Sequence, residues 1–219
     1  MTRVFGSPKK WADLIDPMVP TILYLVLDCW TQMPEPDDTD HEDDITVRLC
    51  KILRQNRTAR DLPFQIDPQM VELEPEEGNQ TGRMDITFRP LVAREDIYFC
   101  LEGKLLNVIQ NGRRRSLASE YVKQGMVRFI SGKYSKAVLH GGMAGYVRDG
   151  DTKHAISRVA LNIKKQGAAL GMESDGGLAS SSVIENDDRV RETNHKRKTH
   201  RFLIHHLFLP VPIRSELVL

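Results

Sequence analysis

Two neighbouring segments, 82–88 and 97–105, constrain the fold of this chain more than any other part of its sequence. Both are rich in β-branched and aromatic residues, and Pro90 lies in the short connection between them, so we expect two adjacent β-strands. Side chains alternate between the two faces of a strand, so the apolar residues at odd positions of the second segment face one way. Glu102 and Lys104 share the opposite face, where two opposite charges therefore lie side by side.

Asp85 in the first of these segments is expected to lie near this charged pair. A carboxylate or an ammonium group inside an apolar strand is costly to bury unless each has a partner. Two carboxylates that converge beside a lysine form a site for a hard divalent cation, and the lysine then points at whatever the cation holds. The arrangement of Asp85, Glu102 and Lys104 thus indicates metal-assisted chemistry.

This pattern resembles that of the PD-(D/E)xK nuclease superfamily, whose fold is shared by many type II restriction endonucleases. The matching residues are Asp85, Glu102 and Lys104 in a Gly-Arg-x-Asp-Ile context, with Met84 where the family's name has proline. Motifs support the resemblance over 42–147, and the rest of the chain follows it only in the general order of its elements. The resemblance implies a nuclease that hydrolyses DNA with the help of Mg²⁺ or Mn²⁺.

The resemblance also implies a role for each residue that carries it. Asp85 and Glu102 would bind the metal ion, with the carbonyl oxygen of Gly103 as a third ligand. The ion would lower the pKa of a water and neutralise charge on the scissile phosphate. Lys104 would orient the attacking water and stabilise the developing negative charge.

A helix is predicted over 42–55, because its apolar residues recur at helical spacing. Glu42 lies on the same side as this apolar stripe, whereas Asp43 is rotated away from it. Members of the superfamily often place a glutamate on the helix ahead of the sheet, so Glu42 is a further candidate metal ligand. The alternative is that the Glu42 carboxylate only interacts favourably with the helix dipole at the N-terminus. Asp43 and Asp44 are the other candidates for the functional role.

The segment after Lys104 is rich in positive charge, and a helix predicted over 116–130 with Ser116 as its N-cap carries part of it. Local positive charge beside a phosphodiester site is what a polyanionic substrate requires, and the alternative is an ordinary solvated face. The candidate substrate-binding residues are Arg114, Lys123, Gln124 and Arg128. All of them except Gln124 belong to a larger basic set: Lys104, Arg113, Arg114, Arg115, Lys123, Arg128, Lys133 and Lys136.

At 219 residues the chain is predicted to form a single domain, 1–219, that is long enough for a substantial core. An acidic loop at 33–44 and a Gly- and Ser-rich loop at 171–188 are predicted to be mobile. Three separated cysteines indicate a reducing, cytoplasmic environment and argue against a disulfide or zinc framework. The longest apolar run is too short to span a bilayer, so no membrane association is expected.

The predicted order of elements is helix, strand, strand pair, helix, strand, helix and a late strand over 202–209. This order predicts an α/β fold with a mixed central sheet sandwiched by helices, which agrees with a restriction-endonuclease-like core. Glycines in the strand predicted over 137–147 are expected to allow close packing of a helix. The histidines His195, His200, His205 and His206 fit no zinc pattern, so packing or basic contacts explain them better.

The leading hypothesis is therefore a Mg²⁺-dependent DNA nuclease. The resemblance implies a part in bacterial restriction or anti-phage defence, with a partner subunit for targeting or a homo-oligomer as compatible assemblies. The alternative is a non-catalytic nucleic-acid-binding or assembly subunit, in which the same charged residues form a buried ion pair. A metal-independent RNA-binding protein is disfavoured, because the aromatic and basic signatures of base stacking are missing.

Overall fold

The computed structural model describes residues 14–73, 80–91, 96–132, 137–173, 176–197 and 200–211. Within these residues the protein is a mixed α/β protein with a seven-stranded mixed sheet and five helices. No helix in the same residues combines the length and the apolar character needed to cross a bilayer.

The helices cover the sheet, and a two-stranded hairpin is separate from it. The helices are α1 (Val19–Thr31), α2 (Glu42–Gln55), α3 (Arg57–Arg60), α4 (118–130) and α5 (Thr152–Gln166). The strands are β1 (Phe64–Leu73), β2 (Gln80–Pro90), β3 (Phe99–Leu106), β4 (Val108–Gln110), β5 (Arg113–Arg115), β6 (His140–Val147), β7 (Ala179–Ser180), β8 (Val190–Lys196) and β9 (Arg201–Pro210).

The strand order of the main sheet is β1-β2-β3-β6-β9-β8-β7. The three central strands β3, β6 and β9 run parallel to one another, and the pairs toward both edges are antiparallel. Parallel neighbours need a crossover connection, and α4 and α5 lie in the two connections that join these central strands. The mixed sheet with helices on it confirms the predicted α/β class.

The alternation predicted for β3 is confirmed by the two cores on either side of the sheet. Phe99 and Leu101 belong to the core beneath α1 and α2. Cys100 and Leu106 belong to the core beneath α4 and α5. Because Glu102 and Lys104 have the parity of Cys100, their side chains leave the strand toward α4.

The predicted close packing of a helix on the glycine-bearing strand is also confirmed. A Cβ atom at Gly141 of β6 would lie 2.6 Å from the Phe129 ring of α4, and one at Gly145 would lie 3.3 Å from the Tyr121 ring. These glycines therefore let the two aromatic rings approach the backbone of the sheet.

The start of α4 was predicted wrongly, and strand β8 was not predicted. α4 begins at Ala118 after Leu117, which has a φ of 50°, so Ser116 is not its N-cap. The middle of α4, Tyr121–Met126, is a π-helix, which no periodicity in the sequence indicated. The basic segment around 189–201 contains the whole strand β8. Its inward residues are mostly polar, so the strand lacks the apolar alternation that would have predicted it.

Of two further predictions, one differs from the structure in detail and the other falls partly outside the described residues. The loop predicted over 171–188 contains the short strand β7, which pairs with β8. Lys133 and Lys136 of the predicted basic set also lie outside the described residues.

Candidate active site

The candidate site lies where β2 separates from β3. The antiparallel pairing of these strands covers only three residue pairs, from Phe88–Phe99 to Ile86–Leu101. Just beyond the last pair, the backbone amide of Gly103 donates to Asp85 Oδ2 at 2.7 Å. The Asp85 carboxylate thus replaces the strand as the acceptor for an edge amide, which would otherwise lose its hydrogen bond.

Glu42 serves the next outward-facing amide of the same strand edge. Its Oε2 accepts from the backbone amide of Leu105 at 3.1 Å, and its Oε1 accepts from Lys104 Nζ at 2.5 Å. Of the two competing residues, Asp44 accepts from the backbone amide of His41 and closes the start of α2, whereas Asp43 is exposed. The first turn of α2 therefore contributes Glu42 to this site.

Lys104 is the centre of the charge network. Besides Glu42, its ammonium group donates to the Gly103 carbonyl oxygen at 2.7 Å and lies 3.1 Å from Glu102 Oε1. Burial disfavours the charged amine, but the carboxylates of Glu102 and Glu42 outweigh burial and raise the pKa of Lys104. The group is therefore a cation that donates hydrogen bonds, and it is not a general base.

Glu102 is fully buried, and its two oxygens have different surroundings. Its Oε1 lies near Lys104 Nζ and also forms an ion pair with Arg128 of α4. Its Oε2 is buried and has no hydrogen-bond partner among the described residues. Burial and the neighbouring Asp85 carboxylate raise the pKa of Glu102 to about 7.

Asp85 has a similar electrostatic environment. Burial raises the pKa of Asp85 to about 6, although the charge of Lys104 and the Gly103 amide favour its ionised form. Glu102 is fully buried and Asp85 is half-buried, and the charge of Asp85 acts on Glu102. Two neighbouring carboxyl groups with raised pKa values are short of positive charge. This is a known property of functional sites, although structural ion-pair networks share it.

The donor atoms fit a hard divalent cation. Asp85 and Glu102 supply carboxylate oxygens, and Gly103 supplies a carbonyl oxygen. Glu102 Oε2 has no hydrogen-bond partner among the described residues, so its lone pairs are available to a cation. No group of three or more His, Cys, Asp or Glu side chains gathers around a common point in the described residues. Glu42 is thus not gathered with Asp85 and Glu102 into a three-carboxylate cluster. Two carboxylates and a carbonyl oxygen are the ligand types of an ion such as Mg²⁺, which binds one or two carboxylates and keeps several waters.

The backbone of Gly103 packs closely against the hydroxyl groups of Thr46 and Tyr146 on the α2 side of the sheet. A Cβ atom at this position would lie 2.8 Å from Thr46 Oγ1 and 2.9 Å from the Tyr146 hydroxyl. These two hydroxyl groups bond each other at 2.9 Å, and Trp30 stacks on the Tyr146 ring with 5.5 Å between centroids. Sequence reasoning missed Thr46 and Tyr146, because residues so far apart in the chain carry no shared motif.

α4 closes the other side of the site. A Cβ atom at Gly125 would lie 2.4 Å from Met143 Cε and 3.5 Å from Lys104 Cγ, so the π-helical turn packs directly on the lysine stem. π-helical turns are frequent at functional sites. Of the predicted substrate-binding residues on this helix, Arg128 reaches Glu102, whereas Lys123 and Gln124 are exposed.

Arg114 is a predicted substrate-binding residue that pairs with carboxylates outside the candidate site. It lies on the β4–β5 hairpin, where Arg114 Nε is 2.6 Å from Asp149 Oδ2 and Nη1 is 3.2 Å from Asp151 Oδ2. Its charge is therefore used within the protein, at the turn that precedes α5.

Two of the histidines belong to a buried hydrogen-bonded chain that sequence reasoning missed. His195 Nδ1 lies 2.8 Å from the carbonyl oxygen of Leu170, which can only accept, and burial lowers the pKa of His195 to about 4. The neutral ring must then accept at Nε2 from the Thr193 hydroxyl, 2.7 Å away. Thr193 Oγ1 in turn accepts from His206 Nε2 at 2.8 Å, and His206 Nδ1 accepts from the Tyr121 hydroxyl at 2.9 Å. Only this one direction of donation along the series of hydrogen bonds gives every polar atom in it a partner.

These hydrogen bonds link Tyr121, the first residue of the π-helical turn, to β8 and β9. The other late-strand histidine, His205, forms a separate pair with His140, whose ring nitrogen lies 3.0 Å from His205 Nε2. The three cysteines Cys29, Cys50 and Cys100 are buried, and no disulfide joins any two of them.

Comparison with protein-family models, curated proteins and solved structures found no match to this chain.

Proposed function

We propose that this protein is a metal-dependent nuclease that hydrolyses phosphodiester bonds of DNA on a restriction-endonuclease-like core. The order α2, β1, β2, β3, α4, β6 supports the proposal, since three antiparallel strands are followed by a helix and a strand parallel to β3. In that fold the acidic pair lies where the hairpin strands diverge, and Asp85 and Glu102 occupy such a place.

The observation that carries the proposal is the buried Oε2 of Glu102 beside Asp85, which has no hydrogen-bond partner in the part of the chain that the structure describes. A fully buried carboxylate oxygen without a partner costs free energy comparable to a lost charged hydrogen bond. Such a cost is expected where a ligand supplies the missing contact. The raised pKa values of Asp85 and Glu102 point to a ligand that is a cation.

Asp85 and Glu102 would hold Mg²⁺ or Mn²⁺ together with the Gly103 carbonyl oxygen. The bound ion would supply charge neutralisation at the scissile phosphate and a water of lowered pKa. Lys104 donates hydrogen bonds in its charged form, so it can orient a nucleophilic water and stabilise negative charge that develops on a phosphate oxygen. Glu42 positions Lys104 through the 2.5 Å contact.

The proposal is tested by incubating supercoiled and linear DNA with the protein in the presence of Mg²⁺ or EDTA. Cleavage should require the metal, and Asp85→Asn or Lys104→Met should each lower the rate by at least ~100-fold. Asn retains an oxygen for the Gly103 amide, so the loss would report charge rather than folding.

Matched controls exist for both substitutions. Asp43→Asn removes an exposed carboxylate from the first turn of α2, and Lys51→Met removes an exposed amine from the same helix. Both controls should cleave at the wild-type rate. Cleavage that survives in Asp85→Asn, or that proceeds equally in EDTA, would overturn the assignment.

A second candidate function is a non-catalytic nucleic-acid-binding or assembly subunit. The observation that favours it is the charge compensation around Glu102, which already contacts Lys104 and Arg128. Calorimetric titration with Mg²⁺ separates the two functions. A protein that binds DNA with no metal uptake at Asp85 would be the non-catalytic subunit.

A further inference from the structure

The β4–β5 hairpin leaves the sheet directly after the strand that carries Glu102 and Lys104. Its two-residue turn consists of Asn111 and Gly112, with φ angles of 51° and 69°. Two positive φ values are the requirement of a type I′ turn, whose twist matches that of a regular two-stranded ribbon. The hairpin is thus a well-formed ribbon that is separate from the main sheet.

The base of the hairpin is anchored at Asn107. This residue has a φ of 51° and is completely buried. Its Nδ2 donates to Asp149 Oδ1 at 3.0 Å and to the carbonyl oxygen of Asp151 at 3.1 Å, while its Oδ1 lies 3.0 Å from His154 Nδ1. The hairpin is therefore held against the start of α5, which covers the same face of the sheet as α4.

The two faces of the ribbon differ in what they contact. Residues paired across an antiparallel ribbon share a face, so Ile109 and Arg114 lie on one face. The ion pairs of Arg114 with Asp149 and Asp151 hold this face beside the turn that precedes α5, although Ile109 on the same face is 59% exposed. The opposite face therefore points away from this turn.

The outward face carries Gln110, Arg113 and Arg115, all of which are exposed. Arg115 Nη1 donates to Gln110 Oε1 at 2.7 Å, which orients the guanidinium group along the ribbon. The segment 107–116 contains three arginines and no acidic residue. This face is therefore complementary to a polyanion.

We infer that the β4–β5 hairpin enters the major groove of duplex DNA and contacts it through Arg113 and Arg115. The inference rests on the proposed function in taking a polynucleotide as the ligand. The major groove of B-form DNA admits a two-stranded ribbon, and arginine is the usual partner of guanine there and of backbone phosphates. The major groove of A-form RNA is too narrow for side chains to read, so duplex RNA is the poorer fit.

The position of the hairpin agrees with this role. Val108 follows Lys104 by four residues, which is at most about 13 Å of extended chain. A duplex whose groove holds the ribbon would thus have its backbone within reach of the candidate site. The anchored Arg114 has the separate task of fixing the direction of the ribbon.

The test measures binding of fluorescent duplex DNA by anisotropy in EDTA, which prevents cleavage. The double variant Arg113→Ala/Arg115→Ala should bind at least ~10-fold more weakly than the wild type. The double variant Arg57→Ala/Arg60→Ala makes the same charge change at exposed positions of α3 and should bind as the wild type does. The wild type should bind a duplex RNA of the same sequence more weakly than the DNA.

Unchanged DNA binding in the hairpin variant, an equal loss in the α3 variant, or equal affinity for duplex RNA would each overturn the inference. The cleavage assay in Mg²⁺ separates this from failure of the proposed function. A wild type that binds duplex DNA through the hairpin without cutting it would leave the inference standing and overturn the nuclease. Metal-dependent cleavage with unchanged binding in the hairpin variant would do the opposite.

Discussion

The Asp85 carboxylate accepts a hydrogen bond from the backbone amide of Gly103 at 2.7 Å, just beyond the point where β2 and β3 stop pairing. One side chain thereby replaces a lost strand contact and is brought beside Glu102. Glu42 repeats the arrangement at the Leu105 amide. The acidic groups of the candidate site are therefore held in place by the free edge of β3.

Metal affinity should depend on Asp85 and on pH. Asp85→Asn is expected to weaken Mn²⁺ binding by at least ~10-fold, whereas Asp43→Asn leaves it unchanged. Wild-type affinity should rise with pH through about 6 and about 7, because a bound cation needs both Asp85 and Glu102 ionised. Calorimetry across this range checks both effects, and an affinity independent of pH would contradict them.

The pH dependence of stability should reveal the buried charge of Glu102. Its pKa is raised from 4.5 to about 7, so the neutral form contributes stability that is fully present below 4.5 and is lost as the pH rises through about 7. In metal-free protein, the free energy of unfolding should therefore fall over this range by up to ~3 kcal/mol relative to Glu102→Gln.

Urea unfolding at a series of pH values measures this difference. Glu185→Gln, at an exposed position, is the control and should show the same slope as the wild type. Excess Mg²⁺ should restore stability to the wild type at the alkaline end, because a ligand of the native state stabilises it. A wild type that gains stability with pH relative to Glu102→Gln would contradict the role of burial.

Gly103→Ala should destabilise the protein. The added methyl group would press against the Thr46 hydroxyl and the Tyr146 ring, both under 3 Å from the new Cβ atom. Overpacking of this kind costs ~1–3 kcal/mol of unfolding free energy. Gly177→Ala, where no atom of the described residues lies within 4 Å of the new Cβ atom, should leave denaturant unfolding unchanged. Equal stabilities for the two variants would show that the contact below Gly103 relaxes freely.

Thr193→Val should break the buried chain between the two histidines. The substitution keeps the shape but removes the donor to His195 and the acceptor for His206. Leaving two buried nitrogens without partners should cost at least ~2 kcal/mol, whereas Thr58→Val at an exposed position should cost little. The Nε2–H proton of His206 should be protected from exchange in the wild type and lost from the NMR spectrum of Thr193→Val.

Much of the sheet could be predicted from local pattern. The strand pair around Asp85 and Glu102, the start of α2 at Glu42 and the glycine-bearing strand β6 all carry apolar periodicity or a recognisable boundary signal. β8 could not be predicted, because its buried residues Glu192, Thr193 and His195 are polar. Such residues enter a core only when distant partners satisfy their hydrogen bonds.

The basic residues show the same division. A run of arginines after Lys104 indicated a polyanionic partner, but the sequence did not distinguish their tasks. Arg114 pairs with Asp149, and Arg128 pairs with Glu102, whereas Arg113 and Arg115 face outward. Their directions follow from the register of the hairpin and from the packing of α4, which are properties of contacts between distant segments.

The amino-acid sequence alone determined that Glu102 and Lys104 share one face of a strand, because the alternation of side chains is a local property of an extended backbone. Only the tertiary structure decided which oxygens and amines meet: that Glu42 accepts from Lys104, that Asp85 accepts from the Gly103 amide, and that Glu102 Oε2 has no partner within the described ranges. Those contacts depend on where β2 leaves β3 and on how α2 and α4 pack, and burial then sets the strength of every charge among them.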